Sequence, residues 1–347
     1  MDRRKFIAAT GVSFSALMAG CSRSGFDVES GTNAESKDDD SSDTASEPSD
    51  QDQFSRHGEN GAVVITYDDA PLQDYTQAFP VHQEFDAPAT IGVVTDSLTR
   101  DRDDGVRWMN VDQLSILQSH GWEIASHTTS HADLDQARLT EDIVPGDDRI
   151  YPTRTTHADP AEKSLEITDG EKSVTRTVLG GGTDGTGSYI QLDEEINQSF
   201  DAESTVERYT SSEMNHFLGD SKAILEEEGF TVDTLIAPYD AFGEWVRRHA
   251  KQYYIGVANA YVTRGRVNSP IDFDPFETKR GYFIEETSRD VIEDDLDEIA
   301  RNGSLGIFAA HTEKDVVSPE EIRTTLEMID DRGIEVLTLR DAITRLS

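Results

Sequence analysis

Two of the nine histidines in this chain stand four residues apart, in Ser126-His127-Thr128-Thr129-Ser130-His131, directly after the short strand-like run Glu123–Ser126. Imidazoles at that spacing lie on one face of a helical turn and can converge on a metal ion. A zinc-protease pattern needs glutamate directly after the first histidine; Thr128 stands there, so that chemistry is excluded. A second polar strand end is Val63-Val64-Ile65-Thr66-Tyr67-Asp68-Asp69-Ala70, an apolar run that finishes in two carboxylates. The third is Leu305-Gly306-Ile307-Phe308-Ala309-Ala310-His311, which delivers a histidine in the same way. Each has an ordinary explanation alone, since acidic pairs cap helices and a strand-end histidine is usually structural. Three together point to the C-terminal rim of a parallel sheet, where α/β enzymes keep their reacting groups.

Those strand ends need a scaffold, and the pattern from Ala62 onward supplies one by alternating short apolar strands with amphipathic helices, an α/β fold. Strands are expected at Ala62–Tyr67, Ala89–Thr95, Glu123–Ser126, Thr234–Ala237, Ile255–Ala258, Leu305–Ala310 and Ile334–Thr338. Met214, Phe217, Leu218, Ser221, Ile224 and Leu225 share one helical face ahead of Gly229, which suits a helix C-terminus. Ser318-Pro319-Glu320-Glu321 reads as a capping box with proline in the first turn, and Gly333 ends that helix. Residues 136–206 break the rhythm and read as a β-rich insertion on the rim. Asp169-Gly170 between two alternating runs marks a hairpin. The cluster from Gly180 to Gly185 lacks the Lys-Ser/Thr of a phosphate loop and is expected to be a flexible loop.

Sixty-nine acidic residues against 31 basic ones give a net charge of -38 over 347 residues. That field repels nucleic acid and anionic membrane surfaces, which excludes both as direct partners of the folded part. An acid-rich, lysine-poor surface suits a halophilic protein, because concentrated salt screens the self-repulsion. The single cysteine, Cys21, rules out an intramolecular disulfide. Arg3-Arg4-Lys5-Phe6, followed by an apolar run from Ile7 to Gly20 too short to span a bilayer, predicts a twin-arginine export signal over residues 1–21. Leu17-Met18-Ala19-Gly20-Cys21 resembles a lipobox, with Cys21 lipidated and the only contact with the membrane. Residues 22–60 are rich in Ser and Asp and too polar to fold, a tether to a catalytic domain over residues 61–347. The expected location is the outer face of the cell membrane, or the medium.

Taken together, these residues resemble the polysaccharide deacetylase family, of the NodB-homology type, from about Ala62 to the C-terminus. Thr66-Tyr67-Asp68-Asp69-Ala70 is similar to its first motif, usually TFDDG, and the His127–His131 segment to its second. Ala237-Pro238-Tyr239 corresponds to the third, and the strand ending in His311 to the last. The order and spacing of four motifs make the resemblance specific. It implies an incomplete, seven-stranded (β/α) barrel in which Asp69, His127 and His131 hold a divalent metal, zinc by its donor set. It further implies Asp68 as general base, His311 as general acid, and the backbone N–H of Tyr239 at the oxyanion. The substrate implied is an acetylated polysaccharide, hydrolysed at an N- or O-acetyl group. Asp68 and Asp69 would face opposite ways in a regular strand, so the backbone must turn at Asp69. The sequence also departs from the family pattern. Ile236 stands where the third motif carries an arginine that orients the base, which predicts a less ionised Asp68. Ala70 and Asp240 replace glycines, and the Asp–Trp pair that tunes the acid histidine has no match near Ala258–Val262. Arg280 is the candidate to restore the missing charge or to touch substrate. Two other readings follow from these departures: a carbohydrate-binding surface protein that has lost turnover, and a hydrolase of small cyclic amides or imides.

Overall fold

A computed structural model describes residues 60–98, 107–159, 163–259 and 266–347. The expected export signal, Cys21 and the tether up to residue 59 lie outside the described residues. No helix among the described residues is long and apolar enough to cross a membrane.

Nine strands form the main sheet. Three precede the insertion: β1 (Ala62–Tyr67), β2 (Thr90–Val93) and β3 (Glu123–Ser126). The insertion contributes β4 (Ala137–Arg138), β5 (Asp147–Ile150), β6 (Ser164–Thr168), β7 (Ser173–Thr183), β8 (Ser188–Ile196) and β9 (Val206–Tyr209) to a sheet of its own. The main sheet resumes with β10 (Thr234–Leu235), β11 (Gly256–Val257), β12 (Val267–Asn268), β13 (Gly281–Tyr282), β14 (Leu305–Ala310) and β15 (Glu335–Leu337). Its order is β11-β10-β3-β2-β1-β14-β12, with β13 also on β14 and β15 also on β1. All of these pairs are parallel except β12 with β14. Seven of the strands coincide with the expected ones, several shortened at their ends. The short strands β12 and β13 share the far edge of β14, one along its first half and one along its second. The fold is the incomplete (β/α) barrel expected, with two more strands than the seven expected.

Strand alternation sorts the core into two layers. Val63, Ile65 and Tyr67 belong to a large cluster shared with the helices α1 (Val111–Ser119), α2 (Arg289–Asn302) and α3 (Pro319–Asp331). Ala62 and Val64, with Ala125, Ile236, Leu305 and Ile307, pack instead against α4 (Leu339–Leu346). That helix buries Leu339, Ala342, Ile343 and Leu346, one apolar stripe at helical spacing. Ser318 caps α3 by accepting from the Glu321 N–H, but no reciprocal box forms, because the Glu321 carboxylate pairs with Arg289 at 2.9 Å. On the helical run around Met214 the expected face is buried except at Ile224, which is 38% exposed.

The insertion is an antiparallel sheet in the order β4-β9-β6-β7-β8-β5, extending to Tyr209, slightly past the expected boundary. The β6–β7 hairpin turns at Asp169-Gly170, as its sequence predicts. The glycine cluster is not a loop, however. Gly180, Gly181 and Gly182 are ladder residues of β7, paired with Gln191, Ile190 and Tyr189. A β-carbon at Gly182 would lie 2.6 Å from the Tyr189 hydroxyl, and one at Gly181 would lie 2.6 Å from the Ala158 β-carbon. Close packing, not flexibility, calls for glycine at those two positions.

Candidate active site

The residues singled out from the sequence meet at one rim of the main sheet. Along β1 the face that carries Ala62, Val64 and Thr66 continues to Asp68; along β3, Ala125 continues to His127; along β14, Leu305 and Ile307 continue to His311. Gly92 on β2 leaves room there, since a β-carbon would approach that of His127 to 3.3 Å. Asp69 would leave this face in a regular strand. It instead adopts φ 73°, and Ala70 follows at φ 59°, so the chain turns and both carboxylates enter the site. The left-handed backbone explains why glycine suits position 70.

The Asp69 carboxylate lies 3.4 Å from Nε2 of His127 and 3.3 Å from Nε2 of His131. One donor atom from each of the three falls within 4.8 Å of the others, a candidate metal centre. The histidines are not on a helical turn as their spacing suggested; left-handed residues at Thr128 (φ 68°) and His131 (φ 57°) fold the segment so that both rings face Asp69. Nδ1 of His127 donates to the Ile236 carbonyl at 2.7 Å, and its buried Nε2 has no hydrogen-bond partner. That is the pattern of a ligand whose second nitrogen is fixed by the backbone. Burial and the neighbouring His127 lower the His131 imidazole to about 4, leaving it neutral with a lone pair to offer. Burial works to raise the Asp69 carboxyl, but the imidazoles of His127 and His131 hold it at about 2.

Behind the candidate metal ligands stands a second set of groups. Arg280, 1% exposed, donates from Nη1 to both oxygens of Asp68 (2.7 and 3.0 Å) and from Nη2 to Asp240 (2.9 Å). Burial would push the Asp68 carboxyl up, yet the Arg280 guanidinium, helped by His127 and His311, holds it below the ordinary carboxylate range. Asn259 also donates to Asp240 and fixes the third-motif backbone by bonds to the Ala237 N–H (2.8 Å) and carbonyl (2.7 Å). Nε2 of His311 lies 4.0 Å from Asp68, while its Nδ1 donates to Glu285 at 3.1 Å. Tyr282 stacks on the imidazole, 5.4 Å between centroids at 17°. Burial lowers the His311 imidazole; Glu285 and Asp68 outweigh that and raise it above its usual value. Thr312 pins the next residue by donating to the buried Asp74 at 2.5 Å. Tyr239 sits at φ 59°, 65% exposed, with its ring edge-on to His131, 4.6 Å between centroids.

The sequence profile of the polysaccharide deacetylase family matches residues 55–174, the stretch holding Asp68, Asp69, His127 and His131. Over that stretch, about a third of its length, the chain is similar to the polysaccharide deacetylase family. Its members are hydrolases of carbon–nitrogen bonds other than peptide bonds. Solved structures similar to this chain include a peptidoglycan deacetylase from Bacillus subtilis, at 12% identity and TM-score 0.43 over 82% of this chain and 91% of that one. A family 4 carbohydrate esterase from Streptomyces lividans in complex with acetate matches at 11% and 0.41, over 80% and 91%. A pseudoenzyme of that esterase family from Bacillus anthracis matches at 11% and 0.45, over 83% and 66%. No curated protein matches the sequence significantly.

Against the deacetylase pattern, the structure corrects three expectations. Asp68 does not lose its positive partner with Ile236, which is buried in the α4-facing core; Arg280 takes over that position from the segment before β13. Arg280 is accordingly no substrate contact, because its guanidinium is enclosed by Asp68, Asp240, Thr66 and Tyr282. The missing Asp–Trp pair is answered by Glu285 and Tyr282, neither of which the sequence reading found. Only a local signal could have shown them: Glu285 follows β13 after a tight turn in which Ile284 has φ 66° and the Glu285 N–H bonds to the Phe283 carbonyl at 2.6 Å. An isoleucine at positive φ is strained, and such strain collects at functional sites.

Proposed function

We propose that this deacetylase is metal-dependent, removing N- or O-linked acetyl groups from a cell-surface or extracellular polysaccharide, and that it works outside the cell, anchored by lipid at Cys21. The carrying observation is the convergence of Asp69, His127 and His131 beside an Asp68 and a His311 that each have a buried partner. The donor set of one carboxylate and two imidazoles suits zinc, with cobalt, nickel, iron and manganese also compatible. Such an ion would supply Lewis acidity and an acidified water at neutral pH. The chain's own residues do the rest. Asp68, kept ionised by Arg280, is placed to take the proton of the attacking water. His311 carries a proton on Nδ1 for Glu285 and turns Nε2 toward the site, where it delivers a proton to the leaving amine or alkoxide. Tyr239, at its left-handed turn, lies beside His131 where its N–H can serve the developing oxyanion.

The two supports for His311 and Asp68 favour turnover over the reading as a binding protein without activity. The test is acetate release from a panel of acetylated glycans at high salt, with metal analysis of the same sample and a cyclic imide included. Asp68→Asn abolishes release while metal content stays near wild type, and His127→Ala strips the metal. Wild-type activity in Asp68→Asn refutes the mechanism. Imide hydrolysis without acetate release gives the site to the small-molecule reading.

A further inference from the structure

Asp74 is fully buried and opens a single π-helical turn, Asp74–Ala78, a short way beyond Asp69. Its Oδ1 accepts from the Thr312 hydroxyl at 2.5 Å, and its buried Oδ2 has no hydrogen-bond partner among the described residues. Thr312 directly follows His311 and is itself buried. We propose that Asp74 is a positioning residue for the reaction: through the Thr312 hydroxyl it fixes the chain that aims His311 at Asp68. The proposal rests on the deacetylase reading and adds a residue to the machinery of that site.

The place of the bond carries most of the weight. β1 and β14 pair in parallel register as far as Tyr67 opposite Ala310, and one further rung joins the Asp68 N–H to the Ala310 carbonyl at 3.2 Å. Beyond that rung the two chains part, one into the left-handed turn at Asp69 and Ala70, the other into the segment after His311. The Asp74–Thr312 bond rejoins them, so it links the two loops that carry the base and the acid. Glu285 holds the His311 N–H and Nδ1 from the β13 edge of β14, and Asp74 supplies the matching hold from the β1 edge.

Stability gives no reason for an acid at this position. A buried carboxyl with one oxygen unpaired weakens a fold, where an apolar pair of the same shape would not. The π turn that Asp74 opens is likewise a rarity that collects at functional sites.

Asp74 acts by contact and not by charge. Burial pushes its carboxyl well above the ordinary value; the Thr312 bond opposes this, and Glu313, Asp68 and Asp69 add to it. The acid is therefore uncharged, with its proton on Oδ2. The charged and titratable groups that face His311 are Asp68, Glu285, Lys314 and Tyr282, and none of them is altered by a change at residue 74 or 312.

The experiment uses the full chain, zinc-loaded. It combines urea melts, metal analysis, kcat and KM for acetate release, and the titration of the His311 imidazole followed by NMR. Asp74→Leu combined with Thr312→Val removes the bond but keeps the shape, so the urea midpoint and metal content are expected near wild type. In that protein kcat should fall about 10–100-fold with KM unchanged, the worth of a group misplaced by about an ångström. The His311 titration should move down toward its ordinary value as the imidazole drifts from Asp68 and Glu285. Thr312→Val alone, which loses only the hydroxyl, should show the same two changes. Asp74→Asn and Thr312→Ser each keep the bond, so kcat and the His311 titration should stay close to wild type. Wild-type kcat or an unmoved His311 titration in the folded, metal-replete double variant overturns the proposal. So does a fall in Asp74→Asn as deep as in the double variant, which would make the charge of Asp74 the cause. If wild type releases no acetate from any acetylated glycan, the deacetylase reading fails by itself, and the His311 titration still decides whether Asp74 positions the ring.

Discussion

Replacing Arg280 by methionine removes the guanidinium bound to Asp68 and leaves that carboxylate, 3% exposed, facing a thioether. Breaking a buried ion pair by deleting one partner costs about 3–5 kcal/mol, because the survivor is left charged and uncompensated. Against a total stability of roughly 5–15 kcal/mol that is a large share, so the variant should fold but denature at clearly lower urea. The pH dependence follows from the sign of the shift. In the wild type the Asp68 carboxyl is held below its unfolded value near ~3.9, so its contribution is present above that pH and lost as pH falls through the lower folded value. Without Arg280, burial is left to push the carboxyl above the unfolded value, and the variant is destabilised most at neutral pH and least in acid. The same change moves the acidic limb of the kcat/KM profile upward, since the base must be ionised to act. A bound ion acts in both proteins, so the difference between them isolates the guanidinium. Arg280→Lys should recover part of the shift, because one ammonium cannot reach both Asp68 and Asp240 as the planar fork does. The assay is acetate release across pH with metal content and urea melts on the same preparations. An acidic limb that stays in place in folded, metal-replete Arg280→Met would refute the argument.

Glu285→Gln keeps a hydrogen-bond acceptor for His311 but removes the charge that raises its imidazole, so the basic limb of the rate profile should move to lower pH with metal content unchanged. An unshifted limb would show that Glu285 only positions the ring. His311→Ala should lower turnover by about 10²–10⁴-fold, the usual worth of a placed general acid, and a loss under tenfold would remove that role. Asp240→Gly restores the residue the family pattern has at φ 53° but removes an acceptor of Arg280, and it should raise the acidic limb in the direction of Arg280→Met, by less. Cys21→Ser should release the protein from the membrane fraction or leave an unprocessed precursor; unchanged partitioning would rule out the lipid anchor.

Much of the candidate metal centre was legible in the sequence because its parts are local. Asp69 and His127 follow directly on strands whose apolar runs are visible, and parity along β1, β3 and β14 brings Asp68, His127 and His311 to the common face. The hairpin at Asp169-Gly170 and the stop at Gly333 were legible for the same reason, since a turn's chemistry lies within a few residues. The strand role of Gly180–Gly182 was not, because what demands glycine there is Tyr189 and Ala158, which arrive from other segments.

The supports of Asp68 and His311 belong to the tertiary structure. By sequence, Asp68 had lost the third-motif arginine, with Arg280 a candidate replacement, and His311 its acidic partner, and no periodicity links residues 68 and 311 to the segment 280–285. β13 closes that gap by pairing in register with β14, Tyr282 opposite Ala309, which sets Arg280 and Tyr282 beside the strand that ends in His311. Guanidinium and carboxylate act through space over a few ångströms and are indifferent to which strand delivers them. The chain alone therefore determined which groups could bind a metal and where the strands deliver them; only the packed sheet decided which distant side chains charge and aim the base and the acid.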